Sequence, residues 1–222
     1  MKARYLEALA VLAPLLRGAS VLALLMPATA ALGADAATDA ARLKGRLAPA
    51  VEASVLAVVD SARAAGLPTS PLVARALEGA SQQASGDAIV TEVRRLATSL
   101  SEARSALGAS SRETEIVAGA SALMAGVPAD SLARLRASRP GTSLSISLVV
   151  LCDLVARGVP QPAASGAVLA AVRAGGTDTD LLRMREHVHD RIQHGTPPTG
   201  AAQQGLRELL DRRAPGHNGG TK

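Results

Sequence analysis

Aromatic rings are almost missing from this chain. Trp and Phe are absent, and Tyr5 is the one tyrosine among 222 residues. β-Sandwiches and barrels lean on aromatic and β-branched side chains, so an all-β fold is not expected. Nucleic-acid binders combine a dense basic face with stacking rings; this chain has no rings after Tyr5, and nucleic acid is not expected as a partner. Cysteine is nearly missing as well. Cys152 stands alone in the most apolar stretch with no cation close beside it, and reads as a small, inert core residue rather than a reactive thiol or an intermolecular bridge. Catalytic signatures are missing too: there is no Gly-x-Ser-x-Gly elbow, no His-Glu-x-x-His and no phosphate loop. The acidic run Thr177-Asp178-Thr179-Asp180 lacks the spacing and terminal Glu of a calcium loop, and Thr179 or Asp180 reads as a helix N-cap. No cofactor is expected.

What the chain does have is Ala, Leu and Val. They supply most of a hydrophobic content of 48%, too high for a disordered protein. Small aliphatic side chains favour helix and let helices approach closely, so the expectation is an all-α fold.

The first thirty residues differ from the rest. Lys2, Arg4 and Arg17 make a positive start, an apolar stretch runs from Ala19 to Met26, and Pro27 precedes the small triplet Ala28-Thr29-Ala30. This is the order of a secretory signal peptide over residues 1–30, with cleavage after Ala30 favoured over Gly33 or Ala36. The alternative is an uncleaved anchor over Leu6–Leu32, against which Arg17 and Pro27 break the stretch into pieces too short to span. The expected location is therefore periplasmic or secreted, with no membrane segment after cleavage. Removing Lys2, Arg4, Arg17 and Glu7 from 24 basic and 19 acidic residues leaves 21 against 18. That mild excess reads as solvation.

A recurring mark organises the remainder. Gly66-Leu67-Pro68, Gly126-Val127-Pro128 and Gly158-Val159-Pro160 each close an apolar-periodic segment, and Gly195-Thr196-Pro197 is a degenerate fourth copy. Glycine past a helix end takes the left-handed conformation, the next residue folds back on the last turn, and proline forbids continuation. These glycines lie 60, 32 and 37 residues apart. A period in the thirties is one helical hairpin, so the fold expected is a compact right-angled or solenoid-like array of tandem hairpins with about eight to nine helices. The units expected are 49–84, 111–139, 143–174 and 179–213, each a longer helix followed by a shorter one, with an extra helix over 86–107.

Ile89, Val93, Leu96, Leu100, Ala103 and Leu107 form one stripe on that extra helix, and Val51, Val55, Val58, Val59 and Ala62 one on an earlier helix. Ser110 with Glu113 fits a capping box, and Ser70-Pro71 an N-cap followed by proline. Leu144–Val155 is apolar nearly all round and belongs at the centre. A single domain is expected over 47–213, with a flexible lead-in at 31–46 and a disordered tail at 214–222.

The densest polar cluster runs from Arg185 to His194. Asp190 and His194, one helical turn apart, are candidate metal ligands, with Glu186, His187 and His189 nearby. The plainer reading is a solvated helix face, since Val188 and Ile192 point to the core from the same helix. Two functions follow. The leading one is an exported, non-enzymatic binding or scaffolding module for a protein or peptide. The alternative is a metal-assisted enzyme built on the Glu186–His194 cluster.

Overall fold

In the computed structural model, residues 35–213 are described, and every regular element among them is a helix. There are ten: α1 (Asp35–Leu43), α2 (Pro49–Ala64), α3 (Ser70–Ser81), α4 (Gly86–Leu107), α5 (Glu113–Met124), α6 (Ala129–Ser138), α7 (Ser145–Ala156), α8 (Gln161–Arg173), α9 (Asp178–Gln193) and α10 (Pro198–Arg213). The protein is an all-α array of tandem helical hairpins. Its packing divides the described residues into two compact units, 35–120 and 121–213, with the boundary inside α5. The proposed signal peptide over 1–30 and the tail over 214–222 lie outside the described residues, as do the cleavage positions at Ala30 and Gly33. No described helix is long and apolar enough to cross a membrane.

All four anticipated stops are present. Gly66, Gly126, Gly158 and Gly195 have φ of 68°, 87°, 84° and 86°. Each closes a Schellman pair, as in Leu67 N–H to Ala62 C=O at 2.9 Å with Gly66 N–H to Arg63 C=O at 2.8 Å. Two further stops of the same kind carry no proline and escape the motif. One is Gly175-Gly176 after α8, and the other uses Gln83, the one non-glycine residue with positive φ among those described.

In the unit over 35–120, α1 packs on α2 and α3, α2 on α3 and α4, and α3 on α4. The stripe read from the sequence of α4 is buried throughout, from Ile89 to Leu107. Glycine permits two of these approaches: a Cβ at Gly86 would lie 2.4 Å from the Val51 side chain, and one at Gly79 would lie 2.8 Å from Ile89. On α2, Val55, Val59 and Ala62 are buried, while Val51 and Val58 are half-buried.

Residues 35–43 correct the expected flexible lead-in. They form α1, which buries Leu43 and Asp39. Asp39 accepts from Arg63 Nη2 at 3.0 Å and from the Thr69 hydroxyl at 2.8 Å. This also corrects the cap of α3. Its N-cap is Thr69 rather than Ser70, and the Thr69 hydroxyl serves Asp39 instead of the helix end.

The capping box read at Ser110 and Glu113 is likewise displaced. α5 begins at Glu113, and the Glu115 carboxylate accepts from Arg112 N–H at 2.8 Å, while the Ser111 hydroxyl donates back to Leu107 C=O.

The unit over 121–213 follows the same rule: α6 packs on α8, α7 on α8 and α9, and α8 and α9 on α10. α7 is buried continuously from Ile146 to Leu154, as its all-round apolarity implies. Cys152 is 3% exposed inside it, and burial first, Asp153 second, pushes its thiol up to about 12. The longer-then-shorter pattern holds for α2–α3 and α5–α6 but fails beyond, where α8 has 13 residues to 12 for α7 and α9 and α10 have 16 each. The cap of α9 is Thr177, not Thr179 or Asp180. The Thr177 hydroxyl accepts from Asp180 N–H at 3.2 Å, and Asp180 accepts from Thr177 N–H at 2.9 Å.

A second repeat appears only in three dimensions. At three of the stops the carbonyl just before the glycine is reached by a long side chain from a later helix. Arg104 Nη1 donates to Ala65 C=O and Gly66 C=O at 2.8 Å, Gln161 Nε2 to Ala125 C=O at 2.8 Å, and Arg213 Nε to Ala174 C=O at 3.1 Å. Donor and acceptor are 36 to 39 residues apart in sequence each time, the length of one hairpin. These donors satisfy carbonyls that a helix end leaves without an intrahelical partner.

Candidate functional site

The histidine helix is α9, and the structure separates most of its candidate ligands. His194 and Asp190 do meet, with Nδ1 3.3 Å from Oδ1, but both side chains are mostly exposed. His187 turns instead to α10, where its Nδ1 lies 2.7 Å from Glu208, and its Nε2 accepts from Arg191 at 3.2 Å. His189 faces α7: its Nδ1 meets Arg157, and its Nε2 lies 3.0 Å from the Gln193 amide. Arg157 in turn donates to buried Asp153 at 2.7 Å. Glu186 is exposed on a different face. Among the described residues no three His, Cys, Asp or Glu side chains gather at one point. Val188 is buried and Ile192 half-buried, as the amphipathic reading of α9 requires.

A shallow recess of about 540 Å³ between α9 and α10 is lined by His187, Arg191 and Glu208, and two further clefts, one in each unit, open beside a Gly-apolar-Pro stop. The first of these two, of about 240 Å³, lies against Gly66-Leu67-Pro68 and is bounded by Arg63, Arg104 and Glu113. Both guanidinium groups are already engaged. Arg63 pairs with Asp39 and Asp60, and Arg104 holds the two turn carbonyls. Its charges are therefore balanced internally, and it offers hydrogen-bonding groups rather than a strong field.

The second cleft, of about 270 Å³, lies between α6 and α8 beside Gly126-Val127-Pro128. Pro128, Pro162 and Leu169 supply apolar walls, Ser165 and Gly166 the floor, and Arg134 the rim. Gln161, which holds the Ala125 carbonyl, forms its inner end. Sequence reasoning missed both clefts. The stop motifs marked their edges, but the facing residues come from later helices.

Compared with protein-family models, curated proteins and solved structures, the chain matches none. Its fold and its clefts together define a helical-hairpin array with one recess beside a hairpin turn in each unit.

Proposed function

We propose that this protein is an exported binding or scaffolding module of the bacterial envelope that captures a protein or peptide partner without catalysing a reaction. The observation that carries the reading is the recurrence of a cleft beside the Gly-apolar-Pro stop in both units. Hairpin arrays bind through surfaces built from equivalent positions of successive repeats, and such surfaces need no catalytic motif. Export rests on the order of charge, apolar stretch and small residues over 1–30.

The test is chemical cross-linking in the native envelope followed by mass spectrometry of the isolated adducts. Adducts to one protein, formed through residues at the two clefts and starting from a chain that begins between Ala31 and Ala37, support the proposal. Retention of residues 1–30 in the envelope form would replace export by anchoring. Stoichiometric metal in the purified protein, lost on changing His187, His189 and His194 to Ala, would replace the scaffold by the metal-dependent alternative.

A further inference from the structure

Resting on the binding-module reading, we infer that the cleft between α6 and α8 docks a partner segment presenting an apolar side chain next to a carboxylate. Three independent features meet there.

Gly166 is the first. Glycine inside a helix is destabilising relative to alanine and is usually required by a close neighbour. That requirement is visible elsewhere in this protein: a Cβ at Gly79 would lie 2.8 Å from Ile89, one at Gly86 2.4 Å from Val51, and one at Gly205 2.8 Å from Val188. At Gly166, in the middle of α8, a Cβ would meet nothing within 4 Å. Nothing among the described residues needs this glycine. A partner backbone crossing α8 closely does.

Ser165 is the second. It is 9% exposed, lines the cleft, and its hydroxyl is buried with no hydrogen-bond partner. Less buried serines such as Ser54 and Ser105 donate to the carbonyl four residues earlier, at 2.9 Å and 3.0 Å; Ser147 on α7 shares the unpartnered state of Ser165 but does not line this cleft. Ser165 makes no such bond and holds a donor and an acceptor ready for a peptide group passing over Gly166.

Charge is the third feature and decides the occupant. Among the described residues Arg134 is the one ionisable side chain lining this cleft. It pairs with Asp130 at 3.3 Å and donates to the Ser131 hydroxyl at 3.2 Å, but the Arg134 and Asp130 side chains are 52% and 82% exposed, so the ion pair is weak and a partner carboxylate can compete for the guanidinium. The walls of Pro128, Pro162 and Leu169 take the apolar side chain.

The experiment titrates the isotopically labelled protein with three blocked peptides, Ac-Leu-Leu-Asp-NH2, Ac-Leu-Leu-Asn-NH2 and Ac-Leu-Leu-Lys-NH2, and follows backbone amide resonances. Saturable shifts centred on Ser165, Gly166 and Leu169, several-fold tighter for the Asp peptide than for the Asn peptide and weakest for Lys, support the inference. Gly166→Leu fills open space and should keep or raise the melting temperature while removing the shifts. Gly166→Ala is the milder version, and Arg134→Gln should erase the preference for Asp.

Absence of localised shifts at millimolar peptide, equal response to all three peptides, or unchanged binding by Gly166→Leu would each overturn it. So would concentration-dependent shifts at Gly166 without peptide, which would make a second copy of this chain the occupant. If Gly166→Leu still forms the envelope adducts of the parent, the cleft assignment fails alone. If the parent forms no adducts, the binding reading itself fails.

Discussion

α7 and α9 pack against each other and are helical for opposite reasons. α7 has no side-chain N-cap, no charge in its first turn and no polar face, yet it is buried without a break from Ile146 to Leu154. Its stability comes from its neighbours. α9 buries only Leu181, Met184 and Val188, and supplies its own signals: a reciprocal capping box at Thr177 and Asp180, acids in the first turn and Arg191 in the last. One helix is made by tertiary burial, the other by its termini and a narrow stripe. Substitutions should divide along that line.

The largest effect belongs to α7. Cys152→Asp puts a charge beside buried Asp153 and should cost several kcal/mol, enough to abolish the cooperative urea transition at 25 °C. The parent thiol gives a gentler version of the same test. Its proton is held up to about 12 in the folded state, against an ordinary value of 9.0. The folded state therefore binds more protons than the unfolded state between those values. Its contribution is complete below about 9 and is lost as pH rises toward 12. Thiol-reagent labelling at pH 8 should be slow when folded and fast in urea.

Next comes the stop that ends α7. At Gly158 φ is +84°, so Gly158→Val should cost about 1 kcal/mol or more through strain alone, read as a lower melting temperature. A matching melt for parent and variant would mean that the turn is not rigid.

On α9 the effects shrink. Thr177→Ala removes one half of the capping box and should cost about 1 kcal/mol in thermal melts. It also removes a donor to Asp180, whose carboxyl lies below its ordinary value through the Thr177 N–H first, then the Thr177 hydroxyl and Arg213. A lowered carboxyl stabilises the folded state above its unfolded value of 3.8, and that stabilisation is lost as pH falls through the folded value. Acid unfolding followed by circular dichroism should therefore begin at higher pH in Thr177→Ala. If the two acid transitions coincide, the box is not what holds the start of α9.

The smallest effect is expected at His194. Its pair with Asp190 is mostly exposed, so His194→Ala should change stability by less than about 0.5 kcal/mol. A larger loss would mean that the polar face of α9 is more than a solvated surface.

Much of this architecture was legible because its signals are local. The stops at Gly66, Gly126, Gly158 and Gly195 need only one glycine and the residues around it. The buried stripe of α4 needs only its own periodicity, and the burial of α7 only the absence of a polar face. The misplaced caps show where local reading fails. Ser110, Ser70 and Thr179 all have the chemistry of a cap, but so do Thr177 nearby and Thr69 one step away. Hydroxyl chemistry alone did not choose among them: Thr69 takes the cap position of α3 although its hydroxyl serves Asp39.

By itself, then, the sequence determined the helical class, the places where helices end and the face that α4 buries. Those follow from backbone conformation and from periodicity within a few turns. Only the tertiary structure decided that residues 35–43 would be helical, because α1 has one large apolar side chain, Leu43, and is held through Asp39 by Arg63 and Thr69. It alone separated His187 and His189 onto different neighbours, Glu208 and Arg157. It alone also placed Arg104, Gln161 and Arg213 on carbonyls 36 to 39 residues away, and opened the recess over Gly166. Contacts across that distance depend on how hairpins stack, and a pattern spanning a few helical turns does not carry that information.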